Sequence, residues 1–467
     1  MKFLALVIAT AGYAVAAEFV TGQAARLVIG QDTFTRQSTS VSEAILGAVS
    51  GVAYGNDTLL IVDGNRIQAN PQNNRVLVYR NISSKVPSAK AEIRSSMRCP
   101  VCGGTADIVL GQSDFTKNEI GLGQAKLRTP TSVATDGRVI AVADTDNNRV
   151  LIWNRIPDAS GANADVVVGQ SDFTKNQTNF GGSGNTPSSK GLRGPQGVWI
   201  QDGKLYVADT QNHRVLIWNS VPTQNGQEAN VVLGKPDFQT FVQSELTAAV
   251  DASASTLLNP VSVTSDGTRL LVADLGHNRV LVWNRIPTGN STPADFALGQ
   301  PDVNSSKDSL ATTANNASRL CKATGAKDTA GKDVYPARCA ATLDFPRFAL
   351  SDGTRFFVAD GGNDRILIWN RIPTQNGQAA DVVLGQLTDQ LAQASGDRIS
   401  AADNVRTPMS LAWDGTNLYV GDPFNRRVLV FTPGDQALPV TGVRNAASQE
   451  IFALGNLTFA AEPKEND

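Results

Sequence analysis

A chain of 467 residues, 41% apolar and 18% charged, has the composition of a globular protein and excludes a disordered one. Its formal net charge of -2 excludes a global pull toward nucleic acid or anionic lipid. Three methionines in all argue against a Met-lined partner groove.

The N-terminus reads as a secretory leader. Lys2 supplies a positive start, Phe3 to Ala11 form a short apolar core, and Ala14, Val15, Ala16 and Ala17 put small residues at the cleavage spacing. The apolar core is too short to span a bilayer, and no later run reaches about 18 apolar residues. No Cys follows the cleavage region, which argues against a lipid anchor. The expectation is a leader over residues 1–17 and a single exported domain over 18–467, located in the periplasm, at the cell surface or outside the cell.

Next comes an internal repeat. Five segments align without gaps: Val142 to Trp153, Val207 to Trp218, Val272 to Trp283, Val358 to Trp369 and Val420 to Phe431. A sixth, earlier copy runs from Val62 to Tyr79 with seven extra residues in its turn. The anchoring acids are Asp63, Asp144, Asp209, Asp274, Asp360 and Asp422. Each unit reads as four strands. Strand a follows a Leu-x-x-Pro signal, as at Leu127 to Pro130, and ends at an Asp-Gly pair such as Asp136–Gly137. Asp-Gly between apolar runs predicts a hairpin, because both residues tolerate positive φ. Strand b runs into the anchoring Asp. Strand c is the Arg-Val-Leu-Ile-Trp run, and strand d is the Val-Val-Leu-Gly-Gln run, as at Val166 to Gln170.

Strand c is apolar on both faces, so each sheet must be covered on both sides. Four short antiparallel strands per unit, stacked face to face around an axis, give an all-β, six-bladed β-propeller. A solenoid is the alternative, but its repeats run to only about 20–45 residues, whereas the acids here are 62 to 86 residues apart. There are seven d-like strands for six units. The extra one is Leu27 to Gln31, ahead of the first unit, and the last is Phe452 to Gly455. The N-terminal segment is expected to pair in the last blade, whether replacing or flanking the C-terminal strand.

The Asp-x-x-Asn-x-Arg turn, the Val-Ala before it and the Pro-then-Asp-Gly opening resemble the NHL repeat family, over roughly residues 45 to 460. The Leu-Gly-Gln-x-Asp-Phe punctuation resembles bacterial NHL-type proteins. The resemblance implies a propeller but no single function. The family includes a lyase that completes peptide C-terminal amidation with a His-held zinc. Such a site wants about three protein ligands, and this chain has only His213 and His277.

The candidate chemistry separates into repeated and unrepeated residues. Asp63, and the pairs Asp144 with Arg149, Asp209 with Arg214, Asp274 with Arg279, Asp360 with Arg365 and Asp422 with Arg427, recur in each blade. They read as turn caps and ion pairs, not as six active sites. His213 and His277 fall in the same turns and read the same way. The tryptophan column Trp153, Trp218, Trp283 and Trp369 reads as packing between blades. At the start of strand a, the channel-lining residues are Ser50, Thr131, Gln196, Val261, Arg347 and Met409. Ser50, Thr131, Gln196 and Arg347 form a candidate site for a small polar or anionic ligand; a channel filled with hydrogen-bonded water is the simpler reading. No convergence of carboxylates and histidines is seen there, so no metal or cofactor is called for.

Cys99, Cys102, Cys321 and Cys339 spell a four-thiolate zinc site at first sight. In an up-and-down blade, however, the c–d connection carrying Cys99 and Cys102 and the d–a connection carrying Cys321 and Cys339 emerge on opposite faces. Two local disulfides fit an exported chain better. The long d–a loops share one face, the expected place for a partner. Formal charges over five of these loops sum to only +1. That is no footprint for nucleic acid, although some NHL propellers bind RNA. The functional expectation is a non-catalytic module that binds another protein or a cell-envelope ligand. The alternative is a propeller hydrolase or lyase with its site in the irregular loops.

Overall fold

The computed structural model describes residues 18–86, 104–181, 186–240, 250–306, 317–391 and 400–434, with the short paired strands Val443–Arg444 and Glu450–Ile451. The leader, Cys99 with Cys102, and the expected last strand from Phe452 to Gly455 lie outside the described residues.

Six four-stranded antiparallel sheets follow one another around an axis. Blade 2 is typical: strand a is Pro130–Thr135, b is Ile140–Asp144, c is Arg149–Trp153 and d is Val166–Val168. The a–b hairpin forms where the sequence supplies Asp136–Gly137. Asp136 Oδ1 accepts from the backbone N–H groups of Arg138 and Val139 at 2.9 and 2.7 Å. Gly137 takes φ 90°, a conformation that costs a side-chain-bearing residue dearly.

The two-sided burial of strand c is visible directly. Val150 and Ile152 enter the core shared with blade 3, and Leu151 and Trp153 enter the core shared with blade 1. Trp153 is fully enclosed and still satisfies its indole N–H on Ala162 O at 3.1 Å. Burying a large apolar side chain in this way contributes about 1.5–3 kcal/mol.

The ring closes through its N-terminus. Leu27–Ile29 occupies the d position of blade 6, antiparallel to Arg427–Phe431, with Val28 opposite Leu429. The N-terminal strand therefore serves as the outer strand of the last blade. Gln23 and Gln31 fasten it from both sides: Gln23 Nε2 donates to Thr432 O at 2.7 Å and Gln31 Nε2 to Arg426 O at 3.0 Å.

The recurrent turn is a buried knot. Asp144 Oδ2 accepts from Asn147 Nδ2 and Arg149 Nε, at 2.8 and 2.7 Å, and Asp144 Oδ1 accepts from Arg128 N at 2.6 Å. The remaining Arg149 nitrogens reach Phe173 O on one d–a loop and Gly123 O and Lys126 O on the previous one. Each arginine thus ties two loops and a turn together. Blade 1, despite its longer turn, keeps the same knot: Asn73 and Arg75 both reach Asp63 Oδ2.

Candidate functional site: the two ends of the central channel

The start of strand a turns inward for a local reason. In blades 1, 2, 4 and 5 the register with strand b slips between the first and third residues. The second residue is then a bulge with no partner across the ladder, and bulges re-aim side chains. Those residues are Ser50, Thr131, Val261 and Arg347. With Gln196 and Met409 they come together around one constriction of the channel, a cavity of only about 10 Å³. That is room for about one water molecule.

The four polar members differ in what they already do. Ser50 Oγ donates to Pro130 O at 3.4 Å, a long contact, and Thr131 Oγ1 donates to Gln196 O at 3.0 Å. These hydroxyls link each blade to the next. The Gln196 side chain has no such bond among the described residues. Arg347 stands furthest apart. Its buried Nε has no hydrogen-bond partner, and its guanidinium forms no ion pair with any described residue. Burial, with no compensating carboxylate, pushes its pKa down to about 10. The six turn arginines have the opposite character, each fully buried against its own Asp.

Space for Arg347 comes from Gly361 in the turn of the same blade. A Cβ there would lie 2.6 Å from Arg347 Cγ. Equivalent positions hold Gly64, Thr145, Thr210, Leu275 and Pro423. The two threonines bond the next blade instead, Thr145 to Pro195 O at 2.8 Å and Thr210 to Pro260 O at 2.7 Å.

The other residues singled out by sequence sit apart from the constriction. His213 Nδ1 accepts from Asn259 N at 3.0 Å. His277 bonds Asp274 Oδ2 and Val250 O, both at 2.7 Å. Each histidine does the work that asparagine does in other turns. Cys321 and Cys339 form a disulfide within the d–a loop leading into blade 5, and Cys339 O accepts from Arg365 Nη2 at 3.1 Å. Among the described residues no three His, Cys, Asp or Glu side chains group as a metal ion would need. No described helix is long and apolar enough to cross a membrane.

Sequence reasoning missed the channel's other end. Where strand a runs into its hairpin, the channel widens to a basin of about 580 Å³. Tyr54, Trp199 and Trp413 contribute to its wall, with Asp136, Asp202, Asp266 and Asp352 from four hairpins. In the sequence the Asp-Gly pairs are turn signals alone. The available signal is Tyr54 and Trp413, in the column that holds Thr135, Ser265 and Ser351 in other blades, and Trp199 one residue earlier in blade 3.

Six antiparallel four-stranded blades around a channel define a six-bladed β-propeller. The NHL repeat matches residues 192–218, the heart of blade 3, and the same knot recurs in all six blades. The chain is a six-bladed β-propeller that carries an NHL repeat. No curated protein matches it. Among solved structures it is similar to an auxiliary nutrient binding protein from Bacteroides thetaiotaomicron VPI-5482. The identity is 11% and the TM-score 0.42, over 86% of this chain and 75% of that one. It is also similar to a chain of a nidogen/laminin complex, at 14% identity and TM-score 0.35, over 81% of this chain and 98% of that one.

Proposed function

We propose that this chain is an exported, non-catalytic binding propeller that receives an anionic group of its ligand or protein partner at the Arg347 end of the channel. One observation carries the reading: Arg347 is partly buried, with an enclosed Nε that has no partner and no counter-charge among the described residues, in a protein that pairs its six turn arginines completely. A buried, unpaired charge is costly, and an incoming anion removes the cost. The constriction has room for about one water-sized group, so a single oxygen of the anion enters it and the body of the ligand rests outside, over the d–a loops. The disulfide-bridged loop that ends at Cys339 leads into the blade that carries Arg347. Export is supported by that disulfide and by the leader-like stretch from Lys2 to Ala17.

Arg347→Met keeps the stem of the side chain and removes the charge. In a low-chloride buffer the variant is expected to melt higher than the parent, by about 1–3 kcal/mol of stability, because the unsatisfied group is gone. Acetate or phosphate is expected to raise the melting temperature of the parent alone. A variant that melts lower, with neither protein responding to anions, would overturn the proposal.

A further inference from the structure

The basin at the opposite end of the channel has the reverse chemistry. Its lining contains Tyr54, Trp199, Trp413 and four aspartates, and no Lys, Arg or His. Its volume of about 580 Å³ falls within the about 300–1,000 Å³ of small-molecule sites.

The aspartates are not equivalent. Asp266 and Asp352 are neutralised by arginines of their own hairpins, Arg269 at 3.2 Å and Arg355 at 2.8 Å. Arg355 also lies 4.7 Å from the Trp413 ring centroid, so that wall is already balanced. The facing wall is not. Asp136 and Asp202 are exposed, stand on adjacent blades and make no ion pair among the described residues. Asp136 spends one oxygen on its turn.

Asp202 spends none on its turn. Blade 3 replaces the usual four-residue turn with the two-residue turn Asp202–Gly203, at φ 50° and 71°. Among the described residues its carboxylate caps no backbone N–H and takes only the Gln201 side chain, at 3.1 Å. Beside it, Trp199 is held rigidly, with its indole N–H on Ser265 O at 2.9 Å and its ring against Phe348. Every other Asp-Gly hairpin described uses its acid to hold the turn. Blade 3 thus both frees its acid and places Trp199 beside it in the basin.

We propose that this basin binds an organic cation, an ammonium group on an aliphatic body, between the Trp199 ring and the Asp136 and Asp202 carboxylates. Carboxylates supply charge and the aromatic wall supplies apolar contact and cation–π attraction. The same chemistry is offered by a free alkylamine or by a lysine side chain. The site is independent of Arg347, which lies at the far end of strand a.

The test titrates the full chain, followed by tryptophan fluorescence, with choline and with N-acetyl-lysine methylamide. The uncharged control is 3,3-dimethylbutan-1-ol, which has choline's shape. Saturable binding of a cation is expected, weakened about tenfold or more in Asp136→Asn/Asp202→Asn and absent for the alcohol, at a free-energy difference of about 1.4 kcal/mol per tenfold. The relative affinities of choline and the lysine derivative separate the two sources. Equal binding of the alcohol, unchanged affinity in the double variant while its melting temperature matches the parent, or no saturable binding of either cation overturns the proposal. Retention of cation binding in Arg347→Met keeps this outcome separate from that of the anion site.

Discussion

Asp364 shows how one ionisable residue can be placed at a cost. It sits at φ 52°, the left-handed turn position that Asn148 and Asn278 hold in other blades. Its Oδ1 accepts from Thr407 N at 2.6 Å, as Asn148 Oδ1 accepts from Gly194 N at 2.8 Å. Burial pushes its carboxyl up from 3.8 to about 6. A carboxyl raised in the folded state favours folding when protonated. That contribution is complete below the unfolded value and is lost as pH rises through about 6. Asp364→Asn keeps the acceptor and cannot ionise. It is expected to add up to about 3 kcal/mol above that range and nothing near pH 4; denaturant melts at the two pH values check this, and an equal gain at both would refute it. The knot residues behave differently. Asp209→Ala would strand the buried Arg214 guanidinium and the Arg193 N–H, with an expected loss of about 3–5 kcal/mol in the same assay.

At the scale of the element, the N-terminal strand has more responsibility than its three residues suggest. Leu27 is packed in the core between blades 6 and 1, and Val28 in the core between blades 5 and 6. Leu27→Ala is expected to cost about 2–5 kcal/mol in urea unfolding. Removing residues 18–31 would bare the edge of Arg427–Phe431, and an open edge invites pairing with another chain. That truncation is expected to elute as dimers or aggregates in size-exclusion chromatography; a stable monomer would contradict the closure. The disulfide is the second such element. It joins residues 18 apart, and its reduction is expected to lower stability by about 2–4 kcal/mol, read as the shift in urea midpoint with reductant.

At the scale of the whole molecule, the six inter-blade cores form a ring without a free face. The ring leaves one channel, and its two ends differ because strand a departs from its repeat differently at each end. At its start, bulges turn Ser50, Thr131 and Arg347 inward. At its finish, the hairpins bring Tyr54, Trp199 and the aspartates around a basin.

Much of this was legible in the sequence, because repetition averages out local ambiguity. Six copies of the Asp…Arg turn named the blades, and the apolar run of strand c required two covered faces. The six residues at the constriction were also readable as one column, since a repeat puts equivalent positions at equivalent radii. What no single strand encodes is how different blades meet. The pairing of Leu27–Ile29 with Arg427–Phe431 joins residues some 400 apart. That Arg347 has no ion-pair partner among the described residues depends on what the five other blades fail to offer it. That Asp136, Asp202 and Trp199 share a wall depends on two hairpins from adjacent blades converging across the channel. The sequence by itself determined the blade and its number; the closed ring decided the meeting points, because only closure sets distances between residues that no local pattern links.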